Sequence, residues 1–224
     1  MSKLNVNTIE PQSGTTVTVG ASGDTIAIPS GATIANSGTA TGFGLQKVSE
    51  ASGTALSGQA SLEVALPETF RAFKMYLDIK PETDDAHLQA TLSIDDGSSY
   101  YGSANNYQYG YQHIYVSGDG AHDVVYSNGD TKIELSKDGG NNTANAEGHH
   151  MMFDIKPINT ESSVKQHNNI TWEGSRNDSS NNFRTIRGSG VLAATYTNKI
   201  NKIKLAYDSG NIEDYFVTLY GFNI

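Results

Sequence analysis

Four aspartates in two predicted loops are the residues of this sequence best suited to hold a metal ion. Asp84 and Asp85 lie in one loop, and Asp95 and Asp96 lie in another, directly before Gly97. Calcium prefers such groups of carboxylate oxygens, but the spacing lacks the alternating ligands and final glutamate of an EF-hand loop. Aspartate and glycine also serve tight turns, because both tolerate positive φ. We therefore predict two acidic turns without metal or cofactor, and these four aspartates are the ligands to test.

The remaining polar residues form no recognisable catalytic group. His149 and His150 are adjacent, so on a strand their side chains point to opposite faces and do not form a two-histidine site. The sequence has no cysteine, which excludes thiolate catalysis and cysteine-based zinc sites. Glycan hydrolysis needs two carboxylates across a groove, and the sequence does not pair candidate acids such as Glu134, Asp154 and Glu173. We predict that the chain is not an enzyme, with a carbohydrate-active enzyme as a distant alternative.

One predicted strand concentrates tyrosines at alternate positions. Tyr107, Tyr109, Tyr111 and Tyr115, together with His113, would lie on one face of that strand. Tyrosine joins a broad apolar ring to a polar tip, which suits protein interfaces and sugar-binding surfaces as well as a domain core. Three interpretations of this face therefore stay open: the core of the domain, a contact between subunits, or a receptor-binding surface.

The composition excludes several classes of function. The formal net charge is −9 and the 15 basic residues are scattered, whereas nucleic-acid binding requires clustered lysine and arginine. No apolar run is long enough to predict a membrane span, and the start of the chain lacks the apolar core of a secretory signal. We therefore expect no nucleic-acid partner and no membrane insertion.

Short repeated units make up the first 40 residues. Thr16–Gly20, Thr25–Pro29 and Thr33–Asn36 alternate polar and apolar residues, and small turns separate them. Units with so few apolar side chains bury too little surface to offset an ordering cost of about 1–2 kcal/mol per residue, so they need copies of themselves. Residues 1–40 therefore predict a self-associating module, which favours an assembly or fibre protein over a free enzyme.

The rest of the chain divides into a predicted linker and a predicted sandwich. Residues 41–60 are rich in glycine, serine, threonine and alanine, which is typical of a linker. From residue 61 onward, short strand-like runs recur, and turn signals such as Asp96-Gly97 and Asn128-Gly129 separate them. Strands without alternating helices predict an all-β fold, with an antiparallel jelly-roll-like β-sandwich over residues 61–224. The predicted strands are 62–66, 70–79, 87–94, 107–116, 122–126, 131–135, 149–155, 164–172, 183–196, 200–207 and 215–222.

Several stretches of the sequence resemble proteins of bacteriophage particles. Leu4–Gly14, continued by Val19–Ile34, is similar to the N-terminal module of tail-fibre-like structural proteins of marine phages, including those that infect cyanobacteria. Phe70–Ile79, Leu92–Tyr100 and Tyr207–Ile212, the last followed by Leu219-Tyr220-Gly221, resemble the sandwich domain often joined to that module. The resemblance covers nearly the whole chain and implies a homotrimeric virion surface component without catalytic residues.

The resemblance also implies a role and a location. Residues 1–40 would anchor the trimer to other virion proteins of the tail or capsid, and the head would be displayed for adhesion to a host surface glycan or protein. Because the chain is short for a complete tail fibre, the alternative is a capsid decoration or cement protein, or a head fibre. Such a protein is made in the host cytoplasm and released by lysis. The residues expected to face the threefold axis are Val17, Val19, Ile26, Ile28 and Ile34.

Overall fold

The computed structural model describes residues 9–11, 13–20, 25, 30, 45–115, 122–141, 147–158, 167–178, 182–193 and 198–222. The chain divides into two units, Met1–Ala40 and Thr41–Ile224. The described residues contain twelve β-strands and no helix, and all the strands belong to the second unit. The strands are β1 (Gln46–Gly53), β2 (Leu62–Ala65), β3 (Ala72–Pro81), β4 (Ala86–Ser93), β5 (Tyr107–Tyr115), β6 (His122–Asp130), β7 (Ile133–Gly139), β8 (Gly148–Lys156), β9 (Asn169–Asn177), β10 (Phe183–Leu192), β11 (Lys202–Tyr207) and β12 (Ile212–Phe222).

Two antiparallel sheets form the second unit. The large sheet has eight strands in the order β1-β12-β3-β8-β9-β10-β5-β6, and the small sheet has four in the order β2-β11-β4-β7. The all-β fold predicted from the alternation of apolar and polar residues is confirmed. Every predicted run overlaps one of the strands from β2 to β12.

The segment 41–60 differs from its predicted role as a linker. Strand β1 lies within it and pairs with β12, from Gln46 opposite Gly221 to Gly53 opposite Tyr215. Most side chains of β1 are exposed, so the segment has no apolar stripe, and its backbone hydrogen bonds to β12 hold it at the edge of the large sheet. The folded head therefore begins before residue 61.

The core lies between the two sheets, where alternate side chains of each strand point inward. On β3 these are Phe73, Met75 and Leu77, each at most 1% exposed. Leu88 and Leu92 of the small sheet pack in the same cluster and are fully buried. Burial of such side chains removes apolar surface from water, which is the main favourable contribution to folding. The opposite face of the large sheet points away from this core.

Aromatic side chains of one sheet donate hydrogen bonds to the backbone of the other. The Tyr207 hydroxyl on β11 donates to the carbonyl oxygen of Ile79 on β3 at 3.1 Å. The Trp172 indole on β9 donates from Nε1 to the carbonyl oxygen of Leu135 on β7 at 2.9 Å. All four residues are buried. These bonds satisfy polar groups that would otherwise be unpaired in the core, and they link the two sheets.

Candidate functional site

A long depression crosses the outward face of the large sheet. One part of it has a volume of about 700 Å³ and a second part about 490 Å³. The two parts share Gln112, Met152, Glu173 and Arg187, so they form one continuous feature, which we call the outer groove. These volumes lie in the range of ligand sites, and the depression is open to solvent, since the lining side chains of Tyr76 and Arg187 are 44% and 77% exposed. Other side chains along it include Tyr76, Asp78, Ile114, His150, Asp154, Ser189 and Phe216.

The register of the strands places the lining residues in a row. Tyr76 lies opposite Met152, Met152 opposite Glu173, Glu173 opposite Arg187, and Arg187 opposite Gln112. The row runs from β3 across β8, β9 and β10 to β5, which is four strand spacings or about 19 Å. Because directly opposed side chains on one face of a sheet are neighbours, the row is a contiguous surface.

Apolar side chains lie at both ends of the outer groove. Tyr76 on β3 is 44% exposed and Phe216 on β12 is 43% exposed, and Ile114 on β5 has a comparable exposure at the other end. The Tyr76 ring meets that of Tyr220 edge to face, with centroids 6.1 Å apart. This neighbour restrains the ring while its outer surface remains open to solvent. A supported, half-exposed tyrosine offers an apolar face and a polar tip to a ligand.

Three cross-strand pairs of polar side chains lie in or beside the same groove. His150 Nδ1 lies 2.8 Å from Asp78 Oδ1, and Lys74 Nζ lies 3.1 Å from Asp154 Oδ1. Arg187 lies 3.9 Å from the carboxylate of Glu173. In each pair the two residues stand directly opposite one another on adjacent strands. Each carboxylate therefore has an opposite charge or a hydrogen-bond donor beside it.

Two of the three candidate acids meet in the outer groove. Asp154 is opposite Thr171 and Glu173 is opposite Met152, so the two acids are diagonal neighbours, about 7–8 Å apart with their Cβ atoms somewhat closer. Glu134 lies elsewhere and accepts a hydrogen bond from the hydroxyl of Tyr111. The side chains of Asp154 and Glu173 are 43% and 51% exposed, and each is paired with a cation. A general acid needs a drier, apolar setting, so the arrangement suits hydrogen bonding to a ligand better than hydrolysis.

The four aspartates considered for a metal lie apart. Asp84 and Asp85 precede β4 and Asp95 and Asp96 follow it, so the pairs lie at opposite ends of the strand. Asp85 and Asp96 have φ values of 58° and 57°, the turn geometry that aspartate tolerates. Hydrogen bonds from Ser93 and Ser99 hold the pKa of Asp95 at about 2. Among the described residues, no three acidic or histidine side chains are arranged to share a metal ion.

The tyrosine face of β5 points inward. For its buried residues, the interpretation as core is therefore correct, and the interpretations as a subunit contact or a receptor-binding surface are wrong. Tyr107 and Tyr111 are 0% and 3% exposed and belong to the core. The Tyr107 hydroxyl accepts a hydrogen bond from the backbone nitrogen of Leu92 at 2.8 Å, across the two sheets. Tyr109 and Tyr115 point the same way and are partly buried. Burial leaves Tyr107 and Tyr111 unable to contact a receptor or a second subunit.

A group of charged side chains at one end of the sandwich surrounds two buried members, Arg176 and Asp178, and its other members are partly buried. We call Arg176, Arg184, Asp138, Asp178 and His87 the buried charge cluster. Arg176 is fully buried and donates from Nη2 to the Asp138 carboxylate at 3.1 Å. Arg184 donates to the Asp178 carboxylate at 2.6 Å, and its guanidinium lies over the ring of Tyr115. The cluster connects β9 and β10 of the large sheet to β4 and β7 of the small one.

The histidines of this region are held in different protonation states. Hydrogen bonding to Asp138 and Glu134 raises the pKa of His87 to about 9. Burial lowers the pKa of His113 to about 4 and that of His149 to about 3. Most charged atoms of these groups have partners within the second unit, whereas His113 Nε2, His149 Nε2, Arg176 Nε and Arg184 Nε have none among the described residues. The outer groove is the stronger candidate for binding, because its side chains are open to solvent.

Only part of the predicted anchor lies among the described residues. Val17 and Val19 are 40% and 62% exposed within the single chain. Ile26, Ile28 and Ile34 lie outside the described residues. The predicted threefold contact therefore stays a prediction.

Sequence reasoning missed the outer groove because its residues are distributed over six strands. Period-two alternation does place Tyr76, Met152 and Arg187 on outward faces once the strands are known. The order in which the strands pair is what brings these residues together, and no local pattern specifies it.

Comparison with known proteins gives no match to a family model, to a curated protein or to a solved structure. Within the part of the chain that the structure describes, no helix has the length and apolar character needed to cross a membrane.

Proposed function

We propose that this chain is a non-enzymatic surface protein of a bacteriophage particle that adheres to the host through the outer groove. In this proposal, residues 1–40 form a homotrimer and anchor it to the virion, and the second unit is displayed outward. The observation that carries the proposal is the outer groove, which joins half-exposed aromatic rings to paired polar side chains. Aromatic rings beside hydrogen-bonding groups suit a surface glycan. Three linked heads would convert weak single contacts into avid attachment.

The order of the strands supports this class of protein. Without the hairpins β5–β6 and β9–β10, eight strands remain in two sets, β1-β12-β3-β8 and β2-β11-β4-β7. We infer that these sets form a jelly roll, since this is the order in which its eight strands fill two sheets. Jelly rolls recur in viral capsid and lectin domains. The topology is thus compatible with both a virion protein and a glycan-binding head.

The anchor unit supports assembly with other chains. Val17, Val19 and Ile9 expose 40%, 62% and 59% of their surface in the single chain. Apolar side chains in a short repetitive segment gain stability when they are buried against copies or against another virion protein. The sequence resemblance to phage fibre modules points to the same use.

A capsid decoration or cement protein is the second candidate. The exposed valines of the anchor unit favour it as much as they favour a fibre, because both require burial against other virion chains. The two candidates differ in copy number and in what the head does. A cement protein would be present at many sites of the shell, and its loss would weaken the shell.

Competition for phage adsorption tests the adhesion proposal. Purified protein, preincubated with host cells, should reduce adsorption of the phage, and the variant Tyr76→Ala should compete at least tenfold less well. Tyr126→Ala is the matched control, because Tyr126 is 80% exposed on the same face of the sheet but lies outside the outer groove. Lack of competition by the wild-type protein, together with shells that weaken when the protein is removed, would favour the cement candidate.

A further inference from the structure

We propose that the outer groove selects a neutral oligosaccharide over an acidic one. This inference rests on the adhesion function proposed above and adds the chemical class of the ligand. It follows from how the charged side chains of the groove are arranged, from its hydrogen-bonding groups and from its length.

The cations in and beside the outer groove already have carboxylate partners. Lys74 is 3.1 Å from Asp154, and Arg187 is 3.9 Å from Glu173. The third carboxylate, Asp78, lies 2.8 Å from an imidazole nitrogen of His150. An acidic sugar that approached either cation would also meet a carboxylate of the protein. The groove therefore has no excess positive charge that would attract an anionic ligand.

Arg187 is the side chain that most directly tests this argument. It is 77% exposed and its pairing with Glu173 is long, so the pair contributes little to stability. Its guanidinium could rotate toward a ligand carboxylate. That movement would leave Glu173 beside the same anionic group, and like charges across so short a distance repel. The net charge of −9 also repels polyanions, which adds to the local repulsion by Glu173.

Neutral hydroxyl groups find suitable partners along the same row. Gln112 supplies an amide donor and an amide acceptor, and the carboxylates of Asp154 and Glu173 accept hydrogen bonds from hydroxyls. Tyr76 offers a ring face at the β3 end of the row. With about 19 Å between β3 and β5, the groove has room for several linked sugar units rather than one.

Matched pairs of oligosaccharides test the inference. We would measure binding of the full-length protein to tetra- to hexasaccharides of galactose, glucose and mannose, and to the uronic acids of the same stereochemistry and linkage. Each pair differs only in a hydroxymethyl or a carboxylate group. The expected result is that the tightest ligand is neutral, at least tenfold tighter than its acid counterpart. Its affinity should change less than twofold between about 50 mM and about 500 mM salt, because screening acts on charged ligands.

Variants assign the binding to the groove. Tyr76→Ala and Gln112→Ala should each weaken binding of the neutral ligand at least tenfold, whereas Tyr126→Ala should not change it. Native mass spectrometry of the same variants should show an unchanged oligomeric state, which separates loss of a ligand contact from loss of a subunit contact. If Tyr76→Ala dissociates the oligomer, the groove is a contact between copies and the inference is overturned.

The other outcomes are equally decisive. Preferential, salt-sensitive binding of the acid members would overturn the neutral preference and leave glycan adhesion standing. Binding of no saccharide in the panel would overturn the inference. If the purified protein still competed for phage adsorption in that case, adhesion would stand with a protein receptor, and if it did not compete, the proposed function would fail as well.

Discussion

Arg176 on β9 is fully buried, and its guanidinium donates hydrogen bonds to both the backbone carbonyl and the carboxylate of Asp138 on β7. This contact links the large sheet to the edge strand of the small sheet. The Arg176 side chain is fully buried, whereas the Asp138 carboxylate is 36% exposed, and the backbone carbonyl of Asp138 would remain as a partner in Asp138→Ala. Because hydrogen bonds to charged groups contribute about 1.5–3 kcal/mol, we expect Asp138→Ala to lower the free energy of unfolding by about 2 kcal/mol, as measured by urea denaturation.

An exposed pair provides the control for this prediction. Glu50 lies 3.5 Å from Lys47, and both side chains are about half exposed. Glu50→Ala should cost less than about 1 kcal/mol, as is usual for surface pairs. Equal costs for the two variants would show that burial of Arg176 adds nothing to the interaction.

The protonation of three histidines predicts a stability maximum near pH 6.5. The pKa of His87 is raised to about 9, so between about pH 6.5 and 9 the folded chain keeps a proton that the unfolded chain releases, and stability falls as pH rises. The pKa values of His113 and His149 are lowered to about 4 and 3, so between about pH 6.5 and these values the unfolded chain binds protons that the folded chain does not, and stability falls as pH falls.

Urea midpoints at several pH values measure this profile. His87→Gln should remove much of the decline between about pH 6.5 and 9 and should leave the acid side unchanged, because it deletes only the group with the raised pKa. A wild-type midpoint that continued to rise up to pH 9 would contradict the assignment of His87.

Tyr107→Phe distinguishes a core tyrosine from a receptor contact. The Tyr107 hydroxyl accepts from the backbone nitrogen of Leu92 and donates to the carbonyl of Tyr101 at 2.9 Å. Deleting it leaves two backbone groups without this partner, which should cost about 1–3 kcal/mol by urea denaturation. Tyr126→Phe, at an 80% exposed position, should change stability by less than about 0.5 kcal/mol. Loss of host adsorption with unchanged stability in Tyr107→Phe would restore the receptor interpretation.

Ile26→Asp combined with Ile28→Asp tests the predicted anchor. Two charges at positions expected to meet their copies should prevent burial, so trimers and attachment to virions should both be lost. The second unit, Thr41–Ile224, should keep the fold and urea midpoint of the wild-type chain. Native mass spectrometry and particle binding are the measurements, and a double variant that still trimerises and attaches would disprove the anchor.

Asp154 and Glu173 provide a test of the proposal that the chain is not an enzyme. Both are paired with cations and about half exposed, so we expect neither to act as a general acid. Oligosaccharides incubated with the protein should be recovered at unchanged length by mass spectrometry. Shortened products that disappear in Glu173→Gln would instead identify a glycosidase.

Strand positions could be predicted from sequence where one face is apolar. On β8, Met151, Phe153 and Ile155 alternate with His150 and Asp154, and this pattern specifies both the strand and its buried face. Strand β1 was missed because its pattern is mostly exposed, and only its pairing with β12 identifies it.

The buried charge cluster could not be predicted by the same reasoning. The predicted strand 164–172 stops before Arg176, since the residues that follow Trp172 are polar or glycine and are typical of a turn. In the structure β9 extends to Asn177, which pairs with both β8 and β10, and Asp138 compensates the buried charge of Arg176 within this extension. The outer groove was missed for a related reason. Its residues come from strands far apart in sequence, and pairing between distant strands has no local signature.

Two hairpins, β9–β10 and β5–β6, extend the large sheet beyond strand β8. We call the other eight strands, β1-β12-β3-β8 and β2-β11-β4-β7, the frame. The hairpins β9–β10 and β5–β6 contribute Glu173, Arg187 and Gln112 to the outer groove, whereas Tyr76 and Met152 belong to the frame. About half of the groove's lining residues therefore lie on the frame, and the other half lie on the two hairpins inserted into it. Under the proposed adhesion function, exchange of these two hairpins would therefore change the ligand preference of the outer groove while the frame kept its own sequence.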